Sequence, residues 1–321
     1  MNAPTVNAPT GAANAGRIVV VGSLNADLTI YTERLPLPGE TLHGSGFAVN
    51  PGGKSANQAV AAARLGGNVT LIGAVGVDDN GAMLLASTAG AGVDVTRVRQ
   101  TNAPTGVAVI SVDAAGENSI IIAAGANGTL APAHVDRAAF DGAVVVGLCL
   151  EVPLETVQAA AQAGHDAGAR VLLNLSPYAP IPEALAGLTD VLLVNAHEAS
   201  QFLGGFELPS PEAPEAEWEP AVAQFAAHGL AQVLVTLGSQ GSVVLDPSAG
   251  TPVVRIAPTR VDAVDTTGAG DAFTGAVAAR LAAGDALVDA ARYASVAAAM
   301  AATRRGTQTA YPTAAELSNF R

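Results

Sequence analysis

Val264-Asp265-Thr266-Thr267-Gly268-Ala269-Gly270-Asp271-Ala272-Phe273 stands near the start of the last sixth of the chain. It follows an apolar, strand-like run, carries two glycines, and opens into a long alanine-rich segment with helical character from about Asp271. The pattern predicts a strand, a tight glycine turn and a helix N-terminus. The first turn of such a helix leaves backbone N–H groups without intrahelical partners and presents the positive end of the helix dipole. It therefore favours an anion, a phosphate above all. A carboxylate at that place repels a phosphate, and two readings of Asp271 follow. It caps the helix, as aspartate often does, or it takes a proton from the hydroxyl that attacks the phosphate, one of the few chemical tasks phosphoryl transfer leaves to a protein. A Gly-Ala-Gly-Asp string by itself does not separate the two.

Upstream, the chain alternates strand and helix signals. Ile18 to Gly22 is a short apolar strand running into Ser23-Leu24-Asn25-Ala26-Asp27. Asn25 and Asp27, two apart on an extended segment, point the same way and can grip adjacent hydroxyls, although turn-forming Asn and Asp after a strand explain the same letters. Ser55 to Leu65 is an alanine-rich helix preceded by Gly52-Gly53-Lys54, with Asn57 near its first turn. From Val69 onwards the strands Val69 to Val75, Val144 to Leu148, Val171 to Leu175, Val191 to Val194 and Val233 to Leu237 are near-continuous apolar runs. Helical segments Gly81 to Ala91, Leu154 to Ala167 and Ala221 to His228 lie between them. Strands that are apolar on both faces are covered on both faces, so the expectation is an α/β fold with a doubly wound, mostly parallel sheet. Thr41 to Val49, Thr105 to Asp113 and Ser119 to Ala123, the last two separated by the turn Ala114 to Asn118, predict a small antiparallel sheet standing apart. Phe206 to Pro220, acidic, Pro-rich and holding the single tryptophan, Trp218, reads as an exposed loop insertion.

Composition bounds the function. The 321 residues are 50% hydrophobic with a net charge of −13, enough for a large core and unsuited to broad binding of nucleic acid or an anionic membrane. No apolar run has the length of a membrane span and the N-terminus lacks a signal-peptide pattern, so a cytoplasmic protein is expected. The one cysteine, Cys149, sits in an apolar run and reads as a buried hydrophobe. Met1 to Gly16, in which Asn-Ala-Pro-Thr occurs twice, reads as a disordered tail ahead of a single domain over 17–321. An acidic protein that handles a polyanion must concentrate positive potential locally, through backbone N–H groups or bound cations. No GxxxxGK[ST] is present, which excludes a P-loop.

Asp265-Thr266-Thr267-Gly268-Ala269-Gly270-Asp271 resembles the C-terminal signature of the ribokinase-like (PfkB) family of carbohydrate and nucleoside kinases. Asn50-Pro51-Gly52-Gly53-Lys54-Ser55-Ala56-Asn57-Gln58-Ala59-Val60-Ala61 resembles its other signature, at the family's order and separation, and the likeness runs from about Ile18 to Tyr311. The resemblance implies ATP-dependent phosphorylation of a small sugar, D-ribose at its 5-hydroxyl before others. It implies Asp271 as general base and the N–H groups of Gly268, Ala269 and Gly270 as the anion hole. Asn25, Asp27, Gly53, Lys54, Asn57 and Glu151 would contact the sugar together with Asp271. ATP would lie by Asn195, Thr236, Gly238, Gly241, Gly270 and Ser295, and magnesium would be held near Asn195 and Glu198 through water. A potassium ion would be ringed, mostly by backbone carbonyls, at Asp265, Thr267, Ala301, Arg304, Gly306 and Ala310. The small sheet, built from about 25–50 and 104–124, would be a lid over the sugar and the seam of a homodimer. Two departures stand out. Ala310 replaces the usual serine ligand, which bears on potassium, and Ser55 replaces a frequent glycine, which bears on which sugar fits. Deoxyribose, fructose and adenosine are alternative substrates, and a non-catalytic sugar binder is the alternative outside enzymes. Aromatic residues make up only 4% of the chain, and few lie in the lid segments, which favours a bare sugar over a nucleoside needing a stacking platform.

Overall fold

The computed structural model describes residues 16–115 and 117–320. Of the expected tail, residues 1–15 lie outside the described residues, and Gly16 donates its N–H to the Ala282 carbonyl. The chain opens with β1 (Arg17–Val21), then leaves for a second sheet with β2 (Asn25–Tyr31) and β3 (Gly46–Gly52). It returns through α1 (Lys54–Arg64), β4 (Asn68–Gly76), α2 (Asp79–Gly90) and β5 (Asp94–Thr101), and departs again for β6 (Gly106–Val112) and β7 (Asn118–Ala123). The second half alternates β8 (Ala143–Leu148), α3 (Leu154–Asp166), β9 (Arg170–Asn174), α4 (Glu183–Ala186), β10 (Val191–Asn195) and α5 (Ala196–Phe202). It continues with α6 (Glu219–Ala227), β11 (Gln232–Thr236), β12 (Ser242–Leu245) and β13 (Val253–Ile256). Helices α7 (Ala269–Ala282), α8 (Leu287–Ala302) and α9 (Ala314–Asn319) close the chain.

The nine-stranded main sheet runs β13-β12-β11-β10-β9-β8-β1-β4-β5, parallel from β11 to β5, with β12 and β13 antiparallel at one edge. Apolar side chains cover it on both faces: α1, α7 and α8 contribute to one core and α3, α5 and α6 to the other, as the two-sided apolar strands require. The expected small sheet has the order β3-β2-β6-β7. Its outer pairs are antiparallel, and its middle pair, β2 with β6, runs parallel because the long excursion through β3 to β5 separates them in the chain.

Helix α7 is buried along nearly all its length, and its small residues let it lie very close to α1. At Gly275 an added Cβ would come within 2.6 Å of the Ala61 Cβ, so a glycine is the residue that permits this approach. That contact brings the first turn of α7 beside the first turn of α1.

Three sequence expectations are corrected. Strand β13 ends at Ile256 and irregular chain fills the space up to Gly268, so the glycine turn does not follow directly on a strand, and α7 begins at Ala269, ahead of Asp271. The segment 206–220 is not merely an exposed insertion: Trp218 is completely buried, in the same core as Phe225, because the short helical turn Glu215–Trp218 folds it inward. Strands β5, β12 and β13 were not delimited in the sequence reading, in which only the strand-like run expected ahead of Val264 touches on β13. The first is a polar edge strand, and the other two are only four residues long.

Candidate active site

The N-terminus of α7 has Gly268 as its cap, in the left-handed region at φ 72°. An added Cβ there would stand 2.7 Å from the Tyr311 hydroxyl and 2.9 Å from Thr307 Cγ2, so conformation and space both require glycine. Among the described residues, the N–H groups of Gly268 and Gly270 have no protein acceptor, whereas that of Ala269 already donates to the Thr266 carbonyl at 3.1 Å. On this turn the N–H groups of Gly268 and Gly270 are therefore open to an anion, while that of Ala269, expected as a third donor, is engaged with Thr266.

Asp271 does not cap its own helix. Buried at 8% exposure, its Oδ2 accepts from Asn57 Nδ2 and its Oδ1 from Gln58 Nε2, both at 3.0 Å. Asn57, expected to face a sugar, meets Asp271 on one side and Gln308 Nε2 on the other, at 3.0 Å.

A second cluster forms where β1 gives way to β2. Glu151 Oε2 accepts from Ser23 Oγ at 2.6 Å, from the Lys54 N–H at 3.0 Å and from Asn25 Nδ2 at 3.5 Å. Asn25 Oδ1 in turn accepts from Asn127 Nδ2 at 2.8 Å, while Gly53 packs against the backbone of Leu24 and Asn25. In the cross-strand register Asn25 and Asp27 share one face of the small sheet with Ala108, Ile110, Ile120 and Ile122. Burial, then the Glu151 and Asp271 carboxylates, raise the Asp27 carboxyl to about 7, with Lys54 opposing. Burial alone would lower the Lys54 ammonium, but Asp271 and Glu151 more than offset it and leave it above its ordinary value. Asp27, Lys54, Glu151 and Asp271 thus share one electrostatic field.

Ser55 does not face that cluster. Its hydroxyl lies 3.1 Å from Cys149 Sγ, and both residues are fully buried, so the expected effect of this departure on sugar choice is not seen in its placement. Burial, then Glu151, push the Cys149 thiol up to about 11, which keeps it neutral.

On the nucleotide side, Asn195 and Thr236 are register partners at the carboxyl ends of β10 and β11, where ligands of parallel sheets gather. Asn195 and Glu198 form a reciprocal capping box on α5: Asn195 Oδ1 accepts from the Glu198 N–H at 2.8 Å and Glu198 Oε2 from the Asn195 N–H at 2.9 Å. Glu198 also bears electrostatically on Lys54. Gly238 and Gly241 bracket the turn after β11, closed by the Leu237 N–H on the Gly241 carbonyl at 2.8 Å. Ser295 stands apart: its hydroxyl pairs with Thr259 at 3.3 Å and makes no contact with the other nucleotide-side residues.

Asp265 ties together the two loops expected to ring a cation. Its Oδ1 accepts from the Thr267 N–H and its Oδ2 from the Gly306 N–H, both at 2.9 Å. Burial works against its charged form, and the bonds from Thr267 and Gly306 prevail, holding the carboxyl below its usual range. Arg304 pairs with Glu316 at 2.9 Å, the Ala301 carbonyl accepts from the Arg304 N–H at 3.1 Å, and Ala310 is buried. Sequence reasoning missed Ser23, Gln58, Asn127, Thr307, Gln308 and Tyr311. The signature strings contain Gln58, but the others are scattered letters that only the fold brings to the site.

The family model for pfkB family carbohydrate kinases matches residues 15–314, and the chain belongs to that family. A ribokinase of Schizosaccharomyces pombe is 36% identical over 94% of this chain and 96% of its own length. A deoxyribokinase of Salmonella typhi is 35% identical over 94% and 98%. The structure of Arabidopsis thaliana ribokinase complexed with ribose and ATP superposes with a TM-score of 0.84 at 34% identity, covering 96% of this chain and all of that one.

The raised Asp27 carboxyl carries a stability prediction. Between its ordinary value of 3.8 and about 7 the folded chain holds a proton that the unfolded chain has released, so this group's contribution to stability falls as pH rises through that window. The melting temperature of Asp27→Asn relative to wild type should rise between pH 4 and pH 8. A difference that is constant across that range contradicts the burial of this carboxylate among like charges.

Proposed function

We propose that this protein transfers the γ-phosphoryl group of ATP to the 5-hydroxyl of D-ribose, giving D-ribose 5-phosphate and ADP. The observation that carries the reading is Asp271, a buried carboxylate at the N-terminus of α7, within one turn of the open N–H groups of Gly268 and Gly270. A helix start that attracts phosphate has little use for a carboxylate unless a proton must be removed there. Asp271 takes the proton of the attacking hydroxyl, and Gly268 and Gly270 hold the charge developing on the transferring group, at about 3 kcal/mol of barrier lowering per donor. Asn25, Asp27, Lys54 and Glu151 bind the remaining sugar hydroxyls, and the ribose and ATP named for the Arabidopsis structure support this choice of substrates.

ATP lies along Asn195, Thr236, Gly238 and Gly241 in this reading. Magnesium fits the capping box: Glu198 spends Oε2 on the Asn195 N–H and retains Oε1, enough for a cation that keeps most of its waters. It would neutralise the nucleotide phosphates. Potassium fits less fully, since Asp265 and Gly306 already join the two loops and Ala310 brings no hydroxyl. Deoxyribose is the second reading, supported by the deoxyribokinase relative.

The opposite face of the small sheet supports a homodimer. Leu28, Ile30, Phe47, Val49, Val109 and Ile121 share that face by register, and Phe47 and Ile121 are 65% and 70% exposed. Phe47→Glu should convert a dimer into monomers in sedimentation. An unchanged dimer, or a wild-type monomer, refutes this seam.

ADP release from magnesium-ATP should be fastest with ribose among ribose, deoxyribose, fructose and adenosine, each assayed with and without potassium. Asp271→Asn should keep sugar binding and lose about 10²-fold or more in kcat. Turnover led by another sugar overturns the substrate, and an active Asp271→Asn overturns the base.

A further inference from the structure

The general base is held by a chain of buried amides that begins on a different part of the molecule. Gln308, in the loop between α8 and α9, is 4% exposed, and Asn57 is 5% exposed. Ser87 Oγ on α2 donates to Gln308 Oε1 at 3.3 Å, Gln308 Nε2 donates to Asn57 Oδ1 at 3.0 Å, and Asn57 Nδ2 donates to Asp271 Oδ2 at 3.0 Å. Every donor in the series points towards the carboxylate.

That direction has a chemical consequence. A carboxamide presents an acceptor on one side and a donor on the other, and its two ends are nearly the same size. An ionised Asp271 only accepts and so calls for the Asn57 NH2, and the partner at the other end of Asn57 either supports or opposes that orientation. The Gln308 NH2 on Asn57 Oδ1 commits the Asn57 NH2 to the carboxylate. Without it, Asn57 Oδ1 is left unpaired in a buried site, where unpaired polar groups are costly, and the amide loses the bond that fixes its angle to Asp271. Ser87 Oγ closes the far end of the series without dictating its direction, since a hydroxyl can donate or accept. Thr307, next to Gln308, ties the same loop to the other signature, donating through Oγ1 to the Pro51 carbonyl at 3.1 Å and laying Cγ2 beside Gly268.

We propose that Gln308 is a positioning residue for the general base, orienting the Asn57 amide so that its NH2 group holds Asp271 towards the attacking hydroxyl. This rests on the general-base reading of Asp271. Gln58 holds the other carboxylate oxygen directly, so the carboxylate has one clamp that is fixed by its own helix and one that depends on the loop.

A double-mutant cycle tests the dependence. Gln308→Leu should lower kcat about tenfold, the scale of a misplaced catalytic group, with KM for ATP unchanged. In an Asn57→Ala background the same substitution should change kcat by less than about twofold, since its route to Asp271 is gone. Gln308→Met keeps the length without the donor and should be as slow as Gln308→Leu; it replaces the leucine variant should that one melt early. Wild-type kcat in Gln308→Leu and Gln308→Met, or a loss that multiplies in full with Asn57→Ala, overturns the inference alone. An active Asp271→Asn overturns the base assignment and the inference with it, so the two failures are told apart.

Discussion

The close packing of α7 on α1 is the contact on which the site depends. It requires Gly275 at the crossing, and it sets the first turns of the two helices side by side. One turn brings open N–H groups and a carboxylate, and the other brings the two amides that hold that carboxylate. An aspartate at a helix start would ordinarily fold back onto its own backbone as a cap. Here Asn57 and Gln58 occupy both its oxygens, which leaves the N–H groups of Gly268 and Gly270 for an anion. Phosphate affinity and proton acceptance can coexist within one turn of helix because the neighbouring helix supplies the restraint.

The proposed sugar side is organised by charge. Three carboxylates, Asp27, Glu151 and Asp271, act on one another around the single ammonium of Lys54, in a chain whose net charge is already −13. Such a cluster suits a neutral polyhydroxyl ligand, whose hydroxyls donate to carboxylates. It does not suit a phosphate, which is drawn instead to the backbone N–H groups of the glycine turn. The two halves of the reaction are thereby kept apart by their electrostatics.

Much of this was legible in the sequence, and the reasons are specific. The doubly wound sheet followed from strands apolar on both faces, and the glycine turn followed from Gly268 and Gly270 ahead of an alanine-rich helix. What escaped was whatever depends on contacts distant in the chain. Strand β5 is polar because it is an edge. Trp218 lies in an acidic, Pro-rich stretch whose short helical turn folds it inward, against the reading of its neighbours. Local letters also left partners unseen: Asn57 was read as a sugar ligand and Ala269 as an anion donor, and the structure shows the first bonded to Asp271 and Gln308 and the second to Thr266. Gln308 carried no signal at all, since its partner is 251 residues away in sequence.

The most direct measurement is a structure of the complex with ribose and a non-hydrolysable ATP analogue. The account predicts the ribose 5-hydroxyl within hydrogen-bond reach of an Asp271 oxygen and in line with the γ-phosphorus, with phosphate oxygens on the Gly268 and Gly270 N–H groups. A sugar whose 5-hydroxyl lies away from Asp271, or phosphates seated elsewhere than on that turn, would contradict it.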